Sequence, residues 1–307
     1  MRHGQMVRVG MAVIVAGMLA RMAGAAGEPP AATAVAQPGA GARAVPGQAW
    51  SLDLGGGVKT EFVWIEALKG WVGKYEVTNE EYRRFKPDHR SGDYHGPPVT
   101  PLDGDRLPVC SVCYTEAVAF SEWATRTASA QLPAGHVVRL PDGDEWTVFA
   151  QCGDERKFPW GNEWPPKYGN YRDETGAKAF AHWQGLRIAG YDDGFDIACP
   201  VEQSSTNDWG LYGVGGNVWE LTSQIQGENR TMRGGSWHRH DQGNISCGIR
   251  RSYPRTSRDS GVGFRVVALP AAAAPAAPSA PPSASPAKAE PQAAPALPGN
   301  NTSRSTP

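Results

Sequence analysis

The sequence predicts one compact domain of short strands and short helices, with little regular secondary structure, over about residues 48–268 of a 307-residue chain. Three observations lead there. Glycine and tryptophan alternate densely through Trp209-Gly-Leu-Tyr-Gly-Val-Gly-Gly-Asn-Val-Trp-Glu-Leu221, Arg233-Gly-Gly-Ser-Trp237 and Gly261-Val-Gly-Phe-Arg-Val-Val267. Glycine permits positive φ and close backbone approach, and tryptophan supplies a large rigid contact area with one N–H donor. Such a stretch packs as a core of tight turns, and it can also carry a site at its surface. Elsewhere the apolar periodicity sustains only short elements. Both chain ends lack the large apolar side chains that a core needs.

Residues 1–26 read as a secretory signal: Arg2, His3 and Arg8, an apolar run from Val9 to Ala20 broken only by glycine, then Ala23-Gly-Ala-Ala26. The run is short for a membrane span, and an uncleaved anchor is the alternative, because Arg21 separates it from the cleavage-like residues. Residues 27–47 are an Ala/Pro/Gly linker and 269–307 an Ala/Pro/Ser tail. Neither buries enough surface to offset its conformational entropy, so both are expected to be disordered, the tail serving as a spacer.

Trp50-Ser-Leu-Asp-Leu54 and Lys59 to Ile65 read as strands around Gly55-Gly-Gly57, and Trp71 to Val77 as another strand. Thr78-Asn-Glu-Glu81 is a capping box, with Tyr82 and Phe85 on one face of the helix behind it. Thr115 can cap a second helix whose Ala117, Phe120 and Ala124 share a face, with Trp123 beside them. Asp142-Gly-Asp-Glu145 opens a third, with Trp146, Phe149 and Ala150 pointing one way. From Cys152 to Asp208 the periodicity dissolves into turn chemistry. A loop region this long inside a compact domain is functional or pinned, and oxygen-rich turns are a natural way to pin it with Ca²⁺.

The 30 basic and 31 acidic residues leave a formal net charge of −1, and no basic stripe is present, which argues against a nucleic-acid partner. The odd number of cysteines, 5, allows at most two disulfides in an exported chain.

Read in order, Tyr75-Glu-Val-Thr-Asn79, Pro108-Val-Cys-Ser-Val-Cys-Tyr114 with Glu116-Ala117, Arg139-Leu-Pro141 with Glu145-Trp146, Phe158-Pro-Trp-Gly161, Asn170-Tyr171, Gly210-Leu-Tyr212, Gly216-Asn-Val-Trp-Glu220, Arg233-Gly-Gly-Ser-Trp237 and Gly263-Phe-Arg265 resemble the formylglycine-generating enzyme, or sulfatase-modifying factor, family. Each motif alone is weak, and the ordered series over about residues 50–268 is specific. The resemblance implies a single α+β domain distantly like C-type lectins. Family activities vary: the founding enzymes oxidise a sulfatase cysteine to formylglycine with O₂ and copper held by two cysteines, and many exported bacterial members have no known chemistry. Function must therefore come from the site.

Carried over residue by residue, the family's copper cysteines fall on Arg239 and Asn244, neither of which replaces a soft thiolate for copper(I). Copper is therefore not expected. Cys247 sits at the wrong spacing for that role and near the family's structural cysteine, which implies a Cys152–Cys247 disulfide. Cys110-Ser-Val-Cys113 lies on a predicted strand, where residues three apart face opposite sides, and it lacks a thioredoxin setting. Cys199 is left buried and free, or paired with one of these.

His238-Arg-His-Asp241 occupies the place of the lost copper site. On a strand His238 and His240 would share a face and, with Asp241, could hold a divalent metal; the alternative is a solvated loop. Trp219 and Ser236 match family active-site residues, and each also has a structural role as packing or turn cap. For calcium, Asn170, Tyr171, Asp193 and Phe195 match the family's first site. Gly216, Val218 and Glu220 match the second, where Gly213 stands in place of a ligating asparagine.

The expectation is an exported bacterial protein, periplasmic or secreted. Its domain would be a non-catalytic binding or scaffold module with structural calcium, holding a protein, peptide or glycan in a groove near Trp219, Ser236, Trp237, Arg239 and His240. The alternative is a metal-dependent oxidoreductase using His238 and His240 or a displaced thiol at Cys247.

Overall fold

Trp50–Gly55 (β1) and Val58–Ile65 (β2) form the hairpin predicted around Gly55-Gly-Gly57, all three glycines having positive φ. The computed structural model describes residues 43–271, so the expected signal at 1–26, most of the 27–47 linker and the tail beyond 271 lie outside the described residues. The folded segment reaches slightly past the expected 48–268: Ala44 is buried and its N–H donates to Gln131 O, and the last strand runs to Pro270.

The hairpin continues into Gly70–Gly73 (β3), and the C-terminal Val267–Pro270 (β11) inserts between β3 and His136–Arg139 (β6). This antiparallel sheet has the order β1-β2-β3-β11-β6. The strand expected over Trp71–Val77 stops at Gly73, because the chain there turns the Glu76 carboxylate inward. Glu76 accepts from Asn217 Nδ2 at 2.6 Å and from the Val218 N–H at 3.0 Å.

Two helices pack on this sheet. Asn79–Phe85 (α1) carries the predicted box, the Glu81 N–H donating to Thr78 Oγ1 at 3.2 Å and the Thr78 N–H to Glu81 Oε2 at 2.7 Å. Tyr114–Ala128 (α2) buries Ala117, Phe120 and Ala124 as their spacing predicts. Its N-cap, however, is Cys113 rather than Thr115. The Cys113 N–H donates to Glu116 Oε2 at 3.1 Å, so the box is set by the glutamate three residues on. Nor is Cys110–Cys113 a strand: Ser111 has φ 57, which breaks the extended run. Gly143–Ala150 (α3) is capped by Asp142 and buries Trp146, Phe149 and Ala150.

Trp219–Gln226 (β7), Asn229–Arg233 (β8) and Arg251–Tyr253 (β9) make a second sheet, with Val262–Gly263 (β10) parallel to β7 at its edge. Asp93–Tyr94 (β4) and Thr100–Pro101 (β5) form a small ladder. Between Cys152 and Asp208 the chain is irregular, as expected, apart from 3₁₀ turns and the short helix Glu174–Ala179 (α4), which Asp173 caps.

Asn217 pins that irregular region. Its φ is 56, and its N–H donates to Asn170 O at 2.8 Å while its O accepts from the Trp237 N–H at 2.9 Å. Its Oδ1 accepts from Asn170 Nδ2 at 3.2 Å and from the Cys199 N–H at 3.0 Å. The fully buried side chain thereby ties the segments around residues 76, 170 and 199, and the main chain of the same residue adds 237. Backbone polar groups removed from water need such partners wherever no ladder supplies them.

Candidate functional site

The Arg233-Gly-Gly-Ser-Trp237 turn builds the site. Gly234 and Gly235 have φ of 91 and 80, a conformation costly for other residues, and they reverse the chain after β8. Ser236 is buried; its O accepts from the Arg239 N–H at 2.8 Å, and its Oγ accepts from the His238 N–H at 3.4 Å. Trp237 and His238 therefore stand in a turn, not on a strand, and the face-sharing expected of His238 and His240 does not arise.

Trp219 and Trp237, expected in a ligand groove, are almost wholly buried. The half-exposed groups beside them are Arg239, His238 and His240. His238 stacks on Trp237 with ring centroids 3.5 Å apart, and Tyr94 meets Trp237 at 4.9 Å and His238 at 5.5 Å. Trp183 lies 5.8 Å from Trp237, and Arg172 lies over Trp183 at 4.7 Å. Arg239 lies over Trp219 at 5.8 Å. The Arg172 N–H donates to Arg239 O at 2.9 Å, so the two arginines leave adjacent backbones.

The electrostatics of this cluster are cationic. Burial, then Arg172 and Arg239, push His238 down to about 3, and burial with Arg172 lowers His240. Both rings are shifted toward the neutral form, and the flanking guanidinium groups oppose a bound divalent cation. Asp241, the third expected metal ligand, is taken up elsewhere. It caps Gln242–Ile245 (α5), and its Oδ1 and Oδ2 accept from Asn244 Nδ2 at 2.9 and 2.8 Å. Among the described residues, no group of three or more His, Cys, Asp or Glu is arranged to hold a metal.

The expected Cys152–Cys247 disulfide is absent, and all five cysteines are free. Cys152 follows α3 with φ 52, and its thiol donates to Phe149 O at 3.8 Å, back toward its own helix end. Cys247 is fully buried, its O accepting from Arg233 Nη2 at 2.6 Å, and burial pushes its thiol up to about 12. Burial likewise carries Cys110 to about 12 and raises Cys199.

The residues expected at the first calcium site converge. Asn170 Nδ2 donates to Ile197 O at 2.8 Å, which leaves Asn170 Oδ1 buried with no partner. Asp193 Oδ2 accepts from the Tyr171 N–H at 2.8 Å and Oδ1 from the Phe195 N–H at 3.0 Å. Asn170, Asp193 and Phe195 line a cavity of about 180 Å³. Burial, with the charge of Asp173, pushes Asp193 up to about 8. An orphaned amide oxygen beside a carboxylate that resists ionising fits a hard cation.

The second set fits less well. Glu220 and Arg265 are both 0% exposed, and Arg265 Nη2 donates to Glu220 Oε1 at 2.6 Å. Glu220 Oε2 accepts from Trp146 Nε1 at 2.8 Å. A Cβ at Gly213 would meet Glu76 Oε2 at 2.7 Å, so Glu76 fills the direction in which the absent asparagine would project. With its carboxylate already held by a guanidinium, the set Gly216, Val218 and Glu220 makes no calcium cradle by itself.

Sequence reasoning did not single out Arg172, Tyr94, Trp183, Asp173 or the inward-turned Glu76. Arg172 and Asp173 follow Asn170-Tyr171 and Glu76 lies inside Tyr75-Glu-Val-Thr-Asn79, whereas Tyr94 and Trp183 stand near no motif.

The sequence model of the family described as the sulfatase-modifying factor enzyme 1-like domain matches residues 61–269. A protein of Mus musculus named formylglycine-generating enzyme is 31% identical over 196 residues, covering 56% of this chain and 47% of that protein. One of Bos taurus named inactive C-alpha-formylglycine-generating enzyme 2 is 34% identical over 152 residues, covering 46% and 43%. The chain spans about half the length of the curated relatives it matches. Among solved structures, Treponema denticola variable protein 1 superposes with a TM-score of 0.53 at 19% identity, over 72% of this chain and 99% of that one, a likeness of fold alone.

Proposed function

Because the chain belongs to the sulfatase-modifying factor enzyme 1-like family, we propose that it is a non-catalytic member, a ligand-holding module with one structural calcium. The observation that carries this reading is the replacement at the expected copper pair. Arg239 stacks on Trp219 and Asn244 is spent on Asp241. The thiol nearest in sequence, Cys247, is buried and held in its protonated form. Copper(I) needs thiolate ligands, and none stands there. The bovine relative named inactive is consistent with loss of chemistry inside the family.

On this reading a peptide or glycan lies over the half-exposed cluster of Tyr94, His238, Arg239 and His240. Asn170 and Asp193 hold calcium with their side chains, and Tyr171 and Phe195 contribute main-chain oxygens. The charged and apolar N-terminus supports action outside the cytoplasm. The test is a copper(I) titration of the wild-type protein and of the Arg239→Cys/Asn244→Cys variant. Stoichiometric tight binding only by the variant supports the reading; tight binding by the wild type overturns it.

A further inference from the structure

We propose that Arg172 and Arg239 form a receptor for an oxyanion, a carboxylate, sulfate or phosphate group borne by the ligand. This rests on the binding-module reading and gives its ligand a chemistry.

The two arginines are held in similar ways. Their backbones are joined by the bond from the Arg172 N–H to Arg239 O at 2.9 Å, and each group lies over an indole: Arg172 over Trp183 at 4.7 Å and Arg239 over Trp219 at 5.8 Å. A contact with a ring does not use the in-plane N–H edge of a guanidinium, the edge that takes a planar or tetrahedral oxyanion.

Neither arginine has a carboxylate at ion-pair distance among the described residues. Arg139, Arg156, Arg187 and Arg265 all do. The nearest acidic groups are engaged already: Asp241 accepts from Asn244, and Asp259 Oδ1 accepts from the Gly261 N–H at 2.8 Å.

The surroundings supply donors and almost no acceptor. Nε of Arg172, Nε of Arg239, and Nε1 of Trp219 and of Trp237 are all buried without a partner. Among the described residues the only acceptor for the Arg172 side chain is Leu186 O, at 3.5 Å. Each arginine is lowered by burial first and then by another arginine, Arg239 for Arg172 and Arg251 for Arg239. Two like charges brought together half out of water, with unmatched donors around them, are a cost to the empty fold that a bound anion removes.

The test uses the whole protein and, as probes, sodium sulfate, sodium phosphate and sodium acetate, each at constant ionic strength. Calorimetry reads the affinity, and NMR follows the Nε–Hε resonances of the arginines. The expected result is saturable binding of at least one probe, with the Arg172 and Arg239 resonances shifted. Arg172→Gln and Arg239→Gln should each weaken it about tenfold, the loss expected for a hydrogen bond to a charged group. Arg126→Gln, on the exposed side of α2, should change nothing. If a glutamine variant fails to fold, Arg172→Lys keeps the charge and loses the fork, and should still weaken binding. The three probes separate carboxylate from sulfate and phosphate ligands. No saturable binding, or binding unchanged in both glutamine variants, overturns the proposal. Capture of neutral sugars or uncharged peptides, equal in wild type and variants, overturns it too while leaving the binding module standing. Oxidation of a sulfatase cysteine peptide would overturn the module reading and leave the oxyanion receptor intact.

Discussion

Removing the cation proposed at the Asn170–Asp193 loop should destabilise the domain in a pH-dependent way. Asp193 is carried from 3.8 to about 8, by burial first and then by Asp173. A carboxyl whose folded pKa lies above its unfolded value binds its proton more tightly when folded. Its contribution to stability is therefore fully present below about pH 4 and is lost as the pH rises through about 8. At about 1.4 kcal/mol for each tenfold change in proton affinity, the ionised Asp193 costs the metal-free fold a few kcal/mol. Glu76, pushed to about 8 by burial and by Glu220, adds to the same slope. Calcium binds the ionised form, and at a hundredfold excess over its Kd it contributes about 2.7 kcal/mol. The assay is urea unfolding at acid, neutral and alkaline pH, with chelator or with calcium. We expect falling stability with rising pH in chelator and a flatter profile in calcium. Asp193→Asn should abolish the calcium increment and leave the part of the slope due to Glu76 and the other raised carboxyls, Glu81 among them. Identical midpoints with chelator and with calcium at neutral and alkaline pH would refute the reasoning.

Other outcomes follow from the buried network and the thiols. Arg265→Met leaves Glu220, fully buried, without its guanidinium, and should cost about 3–5 kcal/mol in urea unfolding; adding Glu220→Gln should recover part of it. Gly216→Ala places a Cβ against the Asn170 carbonyl oxygen at φ 84; the backbone alone should cost about 1–3 kcal/mol of thermal stability. A thiol reagent without reductant should titrate all five cysteines after denaturation. In the native protein Cys152, the only one not buried, should react first, and Cys247, held near 12, should resist.

Local chemistry made parts of the fold legible in the sequence. Thr78 with Glu81, and Asp142 with Glu145, announce helix starts because one short side chain satisfies orphan N–H groups and the third residue reciprocates. The expected cap at Thr115 missed by two residues, because Glu116 reciprocates to the Cys113 N–H and the helix starts there. The spacing of Ala117, Phe120 and Ala124 fixed one buried face. What escaped sequence reading is carried by bonds between distant segments. Asn217 joins regions around 76, 170 and 199 through its side-chain amide and reaches 237 through its main-chain oxygen, and no periodicity records such a hub. Arg172 meets Arg239 only through main-chain pairing of two loops. The alternation in His238-Arg-His240 suggested a strand, yet Gly234 and Gly235 at positive φ start a turn that sends the histidines toward arginines. The disulfide rested on family resemblance, and the free thiols show that this carry-over fails here.

The central claim is that the family scaffold has been kept while its oxidative chemistry has been lost at Arg239 and Asn244. Its most direct test is mass spectrometry of a sulfatase cysteine peptide incubated with the purified protein, copper and O₂. The account predicts an unchanged peptide mass. Catalytic conversion of its cysteine to formylglycine, lost when the protein is omitted, would contradict it.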